Sequence, residues 1–259
     1  MAEEWTLHSD RRRAGSFGDD AETYDRVRPQ YPPALIDALV VGQPRTVLDV
    51  GCGTGIAARL LEARGCDVLG LEPDPRMAAV ARRSGVRVEA GTIEEWDPGD
   101  RVFDLLTAGQ AWHWVDPHRG LRRAAAVLRP GGRIGLFWNQ AEPHGAVRAA
   151  LDAAYARHAP ELGRQSVLLG QRDRSLYDAI AESLRRTGQF DAVSIEMFGH
   201  DADYTSAQWI ELATTHSDHS TLPAAQRRAL LADVRRSVDR AGGRVPVHYE
   251  ATLVTGLRR

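Results

Sequence analysis

The 259-residue chain contains no lysine, and the 33 residues counted as lysine or arginine are all arginine. This absence excludes mechanisms that need a lysine, such as a Schiff base with a carbonyl substrate or the phosphate-binding lysine of a P-loop. The two cysteines, Cys52 and Cys66, are too few for a disulfide framework and lack the spacing of a zinc site, so we expect no bound metal. No run of about 18 apolar residues is present, and the sequence therefore predicts no transmembrane helix.

The sequence also has little excess charge of either sign, with a formal net charge of −2. Nucleic-acid-binding proteins typically carry a basic excess, so we expect no nucleic-acid partner. The charged N-terminal residues lack the apolar stretch of a secretory signal. From these features we expect a cytoplasmic protein without membrane contact, either a monomer or a homodimer.

Short apolar runs rich in β-branched residues alternate with helical stretches, which predicts parallel strands joined by helical crossovers. Two helices, at 19–27 and 33–41, precede this alternation. The predicted strands are 46–50, 68–72, 86–90, 103–108 and 133–138, and the helices between them are 56–64, 74–84 and 117–128. After these elements we expect helical segments at 143–187 and 205–241, and strands at 193–198 and 245–256.

These elements predict an α/β fold with a seven-stranded, mostly parallel sheet and helices on both faces. The last two strands would join the sheet in antiparallel orientation. The helical stretch between them would then be an insertion able to cover a site. We expect the N-terminal helices and residues 200–240 to form a helical lid.

The most informative motif is VLDVGCGTG at 47–55, where a strand runs directly into three glycines and a helix. Glycine permits a tight turn and close approach of a ligand, and a helix N-terminus attracts a carboxylate or phosphate. The spacing is G-x-G-x-G, with Ile56 where the dinucleotide fingerprint has glycine. Asp49, near the strand end, is placed to reach an ammonium group. Glu72, about 20 residues on, can accept hydrogen bonds from ribose hydroxyls of either kind of nucleoside cofactor.

Residues 49–55 together with Glu72 resemble the S-adenosylmethionine (SAM)-binding motifs of class I methyltransferases. Within that superfamily, residues 15–140 are similar to trans-aconitate methyltransferase-like small-molecule enzymes. The residues that carry this similarity are Phe17-Gly18, Ala21, Tyr24, Arg28-Pro29-x-Tyr31-Pro32, Gln110-Ala111-Trp112-His113-Trp114 and Leu128-Arg129-Pro130-Gly131-Gly132. The resemblance implies a Rossmann-like fold, SAM as cofactor, S-adenosylhomocysteine (SAH) as product, and methyl transfer to a carboxylate, hydroxyl or activated carbon of a small molecule.

The resemblance also implies a single methyltransferase domain over residues 1–259. Its parts would be an N-terminal helical cap at 1–42, a SAM-binding core at 43–140, and helical insertions with the last two strands at 141–259. Within the core, the glycines Gly51, Gly53 and Gly55 would hold the methionine part of SAM, beside Asp49. Glu72 would bind the ribose.

Further residues are matched to the adenine, the sulfonium and the cover of the cofactor. The implied adenine neighbours are Pro73, Met77, Thr92 and Ile93. Many relatives have aspartate where this chain has Thr92, so the carboxylate that would bond the adenine amine is absent here. Gln110 and Ala111 would border the sulfonium. Tyr24 and Arg28 would close over the cofactor, with Arg28 pairing with its carboxylate.

Four residues are candidates for contact with the methyl acceptor: Trp112, His113, Trp138 and His216. His113 follows a strand end, the edge at which ligands gather in open α/β sheets. It is a candidate catalytic base, and a hydrogen-bonded spacer is an equal alternative. His216 is the second candidate catalytic residue, with a surface position as its alternative. The tryptophans fit either the core or a stacking surface for the acceptor.

Three other functions remain open at this level. A nicotinamide-dependent oxidoreductase uses a similar sheet, but the glycine spacing disfavours it. A SAM-binding protein without methyl transfer would carry the same loop. A nucleic-acid methyltransferase is disfavoured because the sequence has no Asn/Asp-Pro-Pro-aromatic tetrapeptide after the fourth predicted strand.

Overall fold

The strands of the computed structural model belong to one seven-stranded sheet, and the described part of the chain comprises residues 8, 10, 13, 15–170 and 174–259. The start of the expected cap, residues 1–7, lies outside the described residues. The strands are β1 (Thr46–Val50), β2 (Asp67–Glu72), β3 (Arg87–Ala90), β4 (Phe103–Gly109), β5 (Leu128–Pro143), β6 (Phe190–Thr205) and β7 (Arg244–Arg258).

The strand order is β3-β2-β1-β4-β5-β7-β6. Strands β1 to β5 pair in parallel, and β7 pairs antiparallel with both β5 and β6. The α/β fold, the seven strands and the antiparallel addition predicted from the sequence are therefore confirmed. Strand β1 is buried along almost its whole length, as expected for a parallel strand covered on both faces.

Helices cover both faces of this sheet. They are α1 (Ala21–Val27), α2 (Pro33–Leu39), α3 (Ile56–Glu62), α4 (Pro75–Arg83), α5 (Pro117–Val127), α6 (Ala146–His158), α7 (Pro160–Gln165), α8 (Ser175–Arg186), α9 (Ser206–Thr214), α10 (Ser217–Ser220) and α11 (Ala224–Arg240). Short 3-10 turns lie at Gly15–Asp20, Trp112–Trp114 and Val167–Leu169. Helices α4 and α5 each begin with proline after an aspartate whose side chain accepts backbone N–H bonds.

Three apolar clusters fix these layers. One face of the sheet packs on α5 and α8, through side chains such as Leu121 and Ile180. The other face packs on α2 and α3, through Leu35 and Leu61 among others. A third cluster joins α6, α9 and α11 to the far ends of β5 and β7. This third cluster places the C-terminal helices beside the carboxyl end of the parallel strands.

The predicted boundaries are wrong in the C-terminal part. Strand β5 begins at Leu128 and continues to Pro143, because its far half pairs with β7. Strand β6 likewise extends to Thr205, so residues 200–205 are strand and the expected lid begins only at α9. The segment predicted as helical at 205–241 is three helices, separated at 215–216 and 221–223. Cross-strand pairing between distant residues sets these limits, and local periodicity does not report it.

No helix among the described residues is long and apolar enough to cross a membrane.

Candidate active site

A cavity of about 810 Å³ lies at the carboxyl ends of the parallel strands. The loops after β1, β2, β3 and β4 line it, together with residues 138–141 of β5. The cap contributes Phe17, Tyr24 and Arg28, and residues 216–222 close another side. Residues 161–168 and 176–177 also line the cavity, so the cover is wider than the predicted lid.

The glycine loop forms one wall of this cavity. The amide of Gly51 donates to the Leu71 carbonyl (2.8 Å), which ties the loop to β2. Gly51 has φ +63°, and a Cβ there would lie 2.6 Å from Cβ of Ala111. Gly55 has φ +84° and is the N-terminal cap residue of α3. Both positions therefore require glycine, one for close packing and both for left-handed backbone.

Gly51 and Gly53 line the cavity, whereas Gly55 does not. A Cβ on Gly53 would meet only Cε of Met77, at 3.4 Å. The backbone of the loop at 51–53 thus faces the cavity without a side chain in between. Gly55 shapes the start of α3 and does not contribute to the wall.

Glu72 is held by the backbone of this wall. The amide of Gly53 donates to Oε2 and the amide of Asp74 donates to Oε1, each at 2.9 Å. Burial raises the pKa of Glu72 to about 7, although these two bonds favour the ionised form. The carboxylate lines the cavity with both oxygens fixed in position, ready to accept hydroxyl hydrogens.

Asp49 lies near the end of β1, as predicted, but its side chain is bonded within the sheet. It is buried in β1, it does not line the cavity, and its Oδ1 accepts a bond from the Thr107 hydroxyl (2.8 Å). Burial, together with the charge of Glu72, raises its pKa to about 7, although the bond from Thr107 favours the ionised form. The side chain bonds Thr107 of β4, and its reach to an ammonium group stays a prediction.

All four predicted adenine neighbours, Pro73, Met77, Thr92 and Ile93, line the cavity. The hydroxyl of Thr92 is buried and has no hydrogen-bond partner among the described residues. A buried hydroxyl without a partner is costly, and a ligand amine or ring nitrogen at this wall would satisfy it.

Gln110 and Ala111 follow β4 and line the cavity, with Ala111 beside Gly51. Gln110 has φ +56°, and its side-chain amide donates to the Asn139 carbonyl (2.9 Å). This bond ties the loop after β4 to β5. A strained residue held by a neighbouring strand presents its backbone to the cavity at a fixed position.

Tyr24 and Arg28 line the cavity from the cap. The guanidinium of Arg28 lies 4.6 Å from the Tyr24 ring centre and donates to Thr215 twice, to Oγ1 (3.0 Å) and to the carbonyl (2.6 Å). The resemblance implies that Arg28 pairs with the carboxylate of SAM, and this pairing stays a prediction. In the structure Arg28 joins the cap to the turn between α9 and α10, with one nitrogen, Nη1, outside these bonds.

His113 and Trp138 face the cavity as a pair. The indole N–H of Trp138 donates to Nδ1 of His113 (3.1 Å). Burial and, to a smaller extent, the charge of Arg13 lower the pKa of His113 to about 4. The ring is therefore neutral near pH 7, with its proton on Nε2. In this state Nε2–H of His113 can donate a hydrogen bond, which favours the role of hydrogen-bonded spacer, and the role of general base stays a prediction.

Trp112 does not line the cavity. Its side chain is fully buried against the core beside Gly120, so the predicted contact with an acceptor is wrong for this residue. The alternation in the 3-10 turn at Trp112–Trp114 explains the difference, since Trp112 points inward while His113 and Trp114 face the cavity.

His216 lines the cavity, as predicted, and burial holds its pKa well below the usual range. Beside it lies a network that the sequence analysis missed. Asp218 accepts hydrogen bonds from the Ser166 hydroxyl (3.1 Å), from the His219 amide (2.8 Å) and from Nδ1 of His219 (2.7 Å). Nε2 of His219 is 2.6 Å from the Tyr155 hydroxyl. The repeated His and Asp in the string THSDHS at 215–220 was the available signal.

Among the described residues, no group of three or more His, Cys, Asp or Glu is arranged to hold a metal ion.

The chain is similar in sequence to known methyltransferases. Residues 48–136 match the family described as methyltransferase domain. An uncharacterized methyltransferase of Mycobacterium tuberculosis is 47% identical over 126 residues, which are 48% of this chain and 52% of that protein. The chain thus spans about half the length of such curated relatives. A trans-aconitate 2-methyltransferase of Variovorax paradoxus is 29% identical over 229 residues, which are 84% of this chain and 86% of the relative.

The fold is similar to that of a structure from Anaeromyxobacter dehalogenans described as a type II methyltransferase. The TM-score is 0.65 at 22% identity, with 89% of this chain and 97% of the other covered. The glycine wall, Glu72 and these similarities agree with one another. In sequence and fold the chain is therefore similar to class I SAM-dependent methyltransferases, and over most of its length it resembles the trans-aconitate methyltransferases.

Proposed function

We propose that this protein transfers the methyl group of SAM to a small-molecule acceptor. The observation that carries the proposal is the wall formed by Gly51, Gly53 and Glu72. Here exposed backbone and a fixed carboxylate face one cavity at the carboxyl end of the sheet. Ligands of open α/β sheets bind at this edge.

The residues around the cavity offer the kinds of chemical group that the parts of SAM require. Glu72 offers acceptor oxygens to the ribose hydroxyls, and Thr92 offers an unpaired hydroxyl to the adenine. The backbone of Gly51 leaves room for the methionine part, and Arg28 lines the cavity with Nη1 outside its bonds to Thr215, so that it could pair with the SAM carboxylate. Gln110 and Ala111 would border the sulfonium.

Reaction at this site depends mainly on alignment. SAM supplies a methyl group that is already electrophilic because it is bound to a sulfonium. The protein residues then hold the acceptor in line with that methyl group and exclude water. His113, as a neutral N–H donor fixed by Trp138, would orient an oxygen of the acceptor.

A small molecule fits the dimensions of the site. A volume of about 810 Å³ lies within the usual range of small-molecule pockets, roughly 300–1,000 Å³. The cavity is covered by the cap, by residues 161–168 and by residues 216–222. These covers leave little space for a macromolecular acceptor.

Calorimetric titration with SAM, SAH and NADH tests the cofactor first. We expect saturable binding of SAM and SAH and none of NADH, and we expect Glu72→Gln to weaken SAH binding. The control variant is Glu89→Gln, because Glu89 bonds Arg101 and Trp96 outside the cavity wall. NADH binding alone would favour the oxidoreductase.

Methyl transfer is then tested by SAH release in the presence of candidate acceptors. SAH release with an acceptor supports the proposal. Tight SAM binding without SAH release on any acceptor would indicate a SAM-binding protein that does not transfer the methyl group.

A further inference from the structure

The part of the cavity beyond the glycine wall contains one fixed carboxylate, that of Asp218. Its side chain is 17% exposed and lines the cavity, while the adjoining His219 is fully buried. Three hydrogen bonds, from Ser166 and from two groups of His219, hold the two carboxylate oxygens. The Tyr155 hydroxyl in turn fixes the imidazole of His219. Such a supported side chain is preorganised to contact a ligand.

No arginine among the described residues pairs with Asp218. The two nearby cations are engaged with the preceding residues instead, since Arg13 donates to the Ser217 hydroxyl and Arg28 donates to Thr215. Burial opposes ionisation of Asp218, yet the bond and charge of His219 hold its pKa well below the usual range. The cavity therefore contains an ionised carboxylate with spare capacity to accept hydrogen bonds.

Apolar side chains from the flanking segments line the same cavity as this carboxylate. Val167 and Leu168 follow Ser166 in the chain, and Leu222 follows α10, and all three line the cavity. The Tyr177 ring lies 5.1 Å from that of Trp138 and extends the same kind of surface. An acceptor bound here needs an apolar body and a group that can donate a hydrogen bond to Asp218.

We propose that Asp218 is an acceptor-binding residue that selects a neutral O–H or N–H group on a largely apolar molecule and disfavours a carboxylate acceptor. This inference rests on the proposed function, because it assigns the acceptor half of the same cavity. Ser166, His219 and Tyr155 act through Asp218 and are positioning residues.

A pair of probes with one skeleton tests this selection. Binding of 2-naphthol and of 2-naphthoate to the SAH-saturated protein is measured at neutral pH by fluorescence titration or calorimetry. We expect 2-naphthol to bind at least about tenfold more tightly, because a hydrogen bond to a charged group is favourable and two like charges repel. Preference for 2-naphthoate, or binding of neither probe by protein that binds SAH, would overturn the proposal.

Variants locate the preference at Asp218. In Asp218→Asn the ratio of the two affinities falls about tenfold, while SAH affinity stays unchanged. Glu161→Gln is the matched control, because Glu161 also lines the cavity but its side chain is 78% exposed. An unchanged ratio in a folded Asp218→Asn variant would refute the assignment.

Ser166→Ala provides a second variant if Asp218→Asn does not fold. It removes one of the donors to Asp218 and should reduce the ratio by a smaller factor at equal melting temperature and SAH affinity. A purely structural role of Ser166 would lower the melting temperature without changing the ratio, and that result counts against the proposal. Failure of the wild-type protein to bind SAH would instead contradict the proposed function.

Discussion

The cavity has two proposed halves, a cofactor half around Gly51, Gly53 and Glu72 and an acceptor half around His113 and Asp218, and they differ in the groups that line them. On the proposed cofactor side, backbone amides of the loops after β1 and β2 contact Glu72, and the residues involved lie within about 25 positions of one another. On the acceptor side, side chains meet across long stretches of sequence, as Ser166 does with Asp218 and Trp138 with His113. The first kind of site is fixed by local conformation, and the second by the packing of helices around it.

The largest expected effect is that of a methyl group on the glycine wall. Gly51→Ala adds a left-handed backbone cost of about 1–2 kcal/mol and a clash with Ala111 of about 1–3 kcal/mol. We expect the free energy of unfolding to fall by about 2–5 kcal/mol, as measured by chemical denaturation. Gly53→Ala is the matched control, because it has the same backbone cost without the clash. A larger loss of stability in Gly53→Ala than in Gly51→Ala would contradict this account.

The next effect concerns the carboxylate that the loop holds. Glu72→Gln replaces charge-assisted acceptors by a neutral amide, and we expect SAH affinity to fall roughly tenfold to a hundredfold. The loss should be confined to the cofactor half of the cavity. If probe binding in the acceptor half changed as much as SAH binding, the two halves would not be the separate sites described here.

A third effect is visible in stability alone. The pKa of buried Asp49 is raised from 3.8 to about 7, so the folded state holds its proton longer than the unfolded state does. Its stabilising contribution is therefore complete below pH 3.8 and is lost as the pH rises to about 7. Asp49→Asn should remove this loss, on the order of 2–4 kcal/mol near pH 8, and keep the bond from Thr107. If the difference in free energy of unfolding between the two proteins were the same at pH 5 and at pH 8, this account of Asp49 would be disproved.

The smallest effect tests the acceptor side. Trp138→Phe removes the N–H that stabilises neutral His113, so the pKa of His113 should rise from about 4 by roughly one. Nuclear magnetic resonance titration of the imidazole measures it. Trp114→Phe is the control, because the Trp114 ring lies 5.0 Å from His113 and makes no hydrogen bond to it. Equal changes in the two variants would mean that the Trp138 bond has no special role.

The cofactor half was largely predictable from the sequence. Strand β1 with the glycines after it, and β2 ending at Glu72, are short patterns in which the conformation of each residue follows from its sequence neighbours. Asp49 shows the limit of such reasoning. Its position at the strand end was predicted correctly, but the direction of its side chain depended on Thr107, 58 residues away.

The acceptor half was predicted only in part. His113, Trp138 and His216 do line the cavity, but Trp112 does not, and Asp218 was missed. The long pairing of β5, β6 and β7 sets where α9 and α10 lie, and no local signal reports the register of that pairing. The sequence also gave no indication that Arg28 would bond Thr215.

The tryptophans that border the cavity give the molecule its own optical reporters. Trp114 lies against Phe17 of the cap, and Trp138 lies against Tyr177 of α8, whereas the side chains of Trp112 and Trp209 are enclosed in the core. A ligand entering beside the cap should change the emission of Trp114, and one entering beside α8 should change that of Trp138. Two single Trp→Phe proteins would therefore tell, without any label, which half of the cavity fills first.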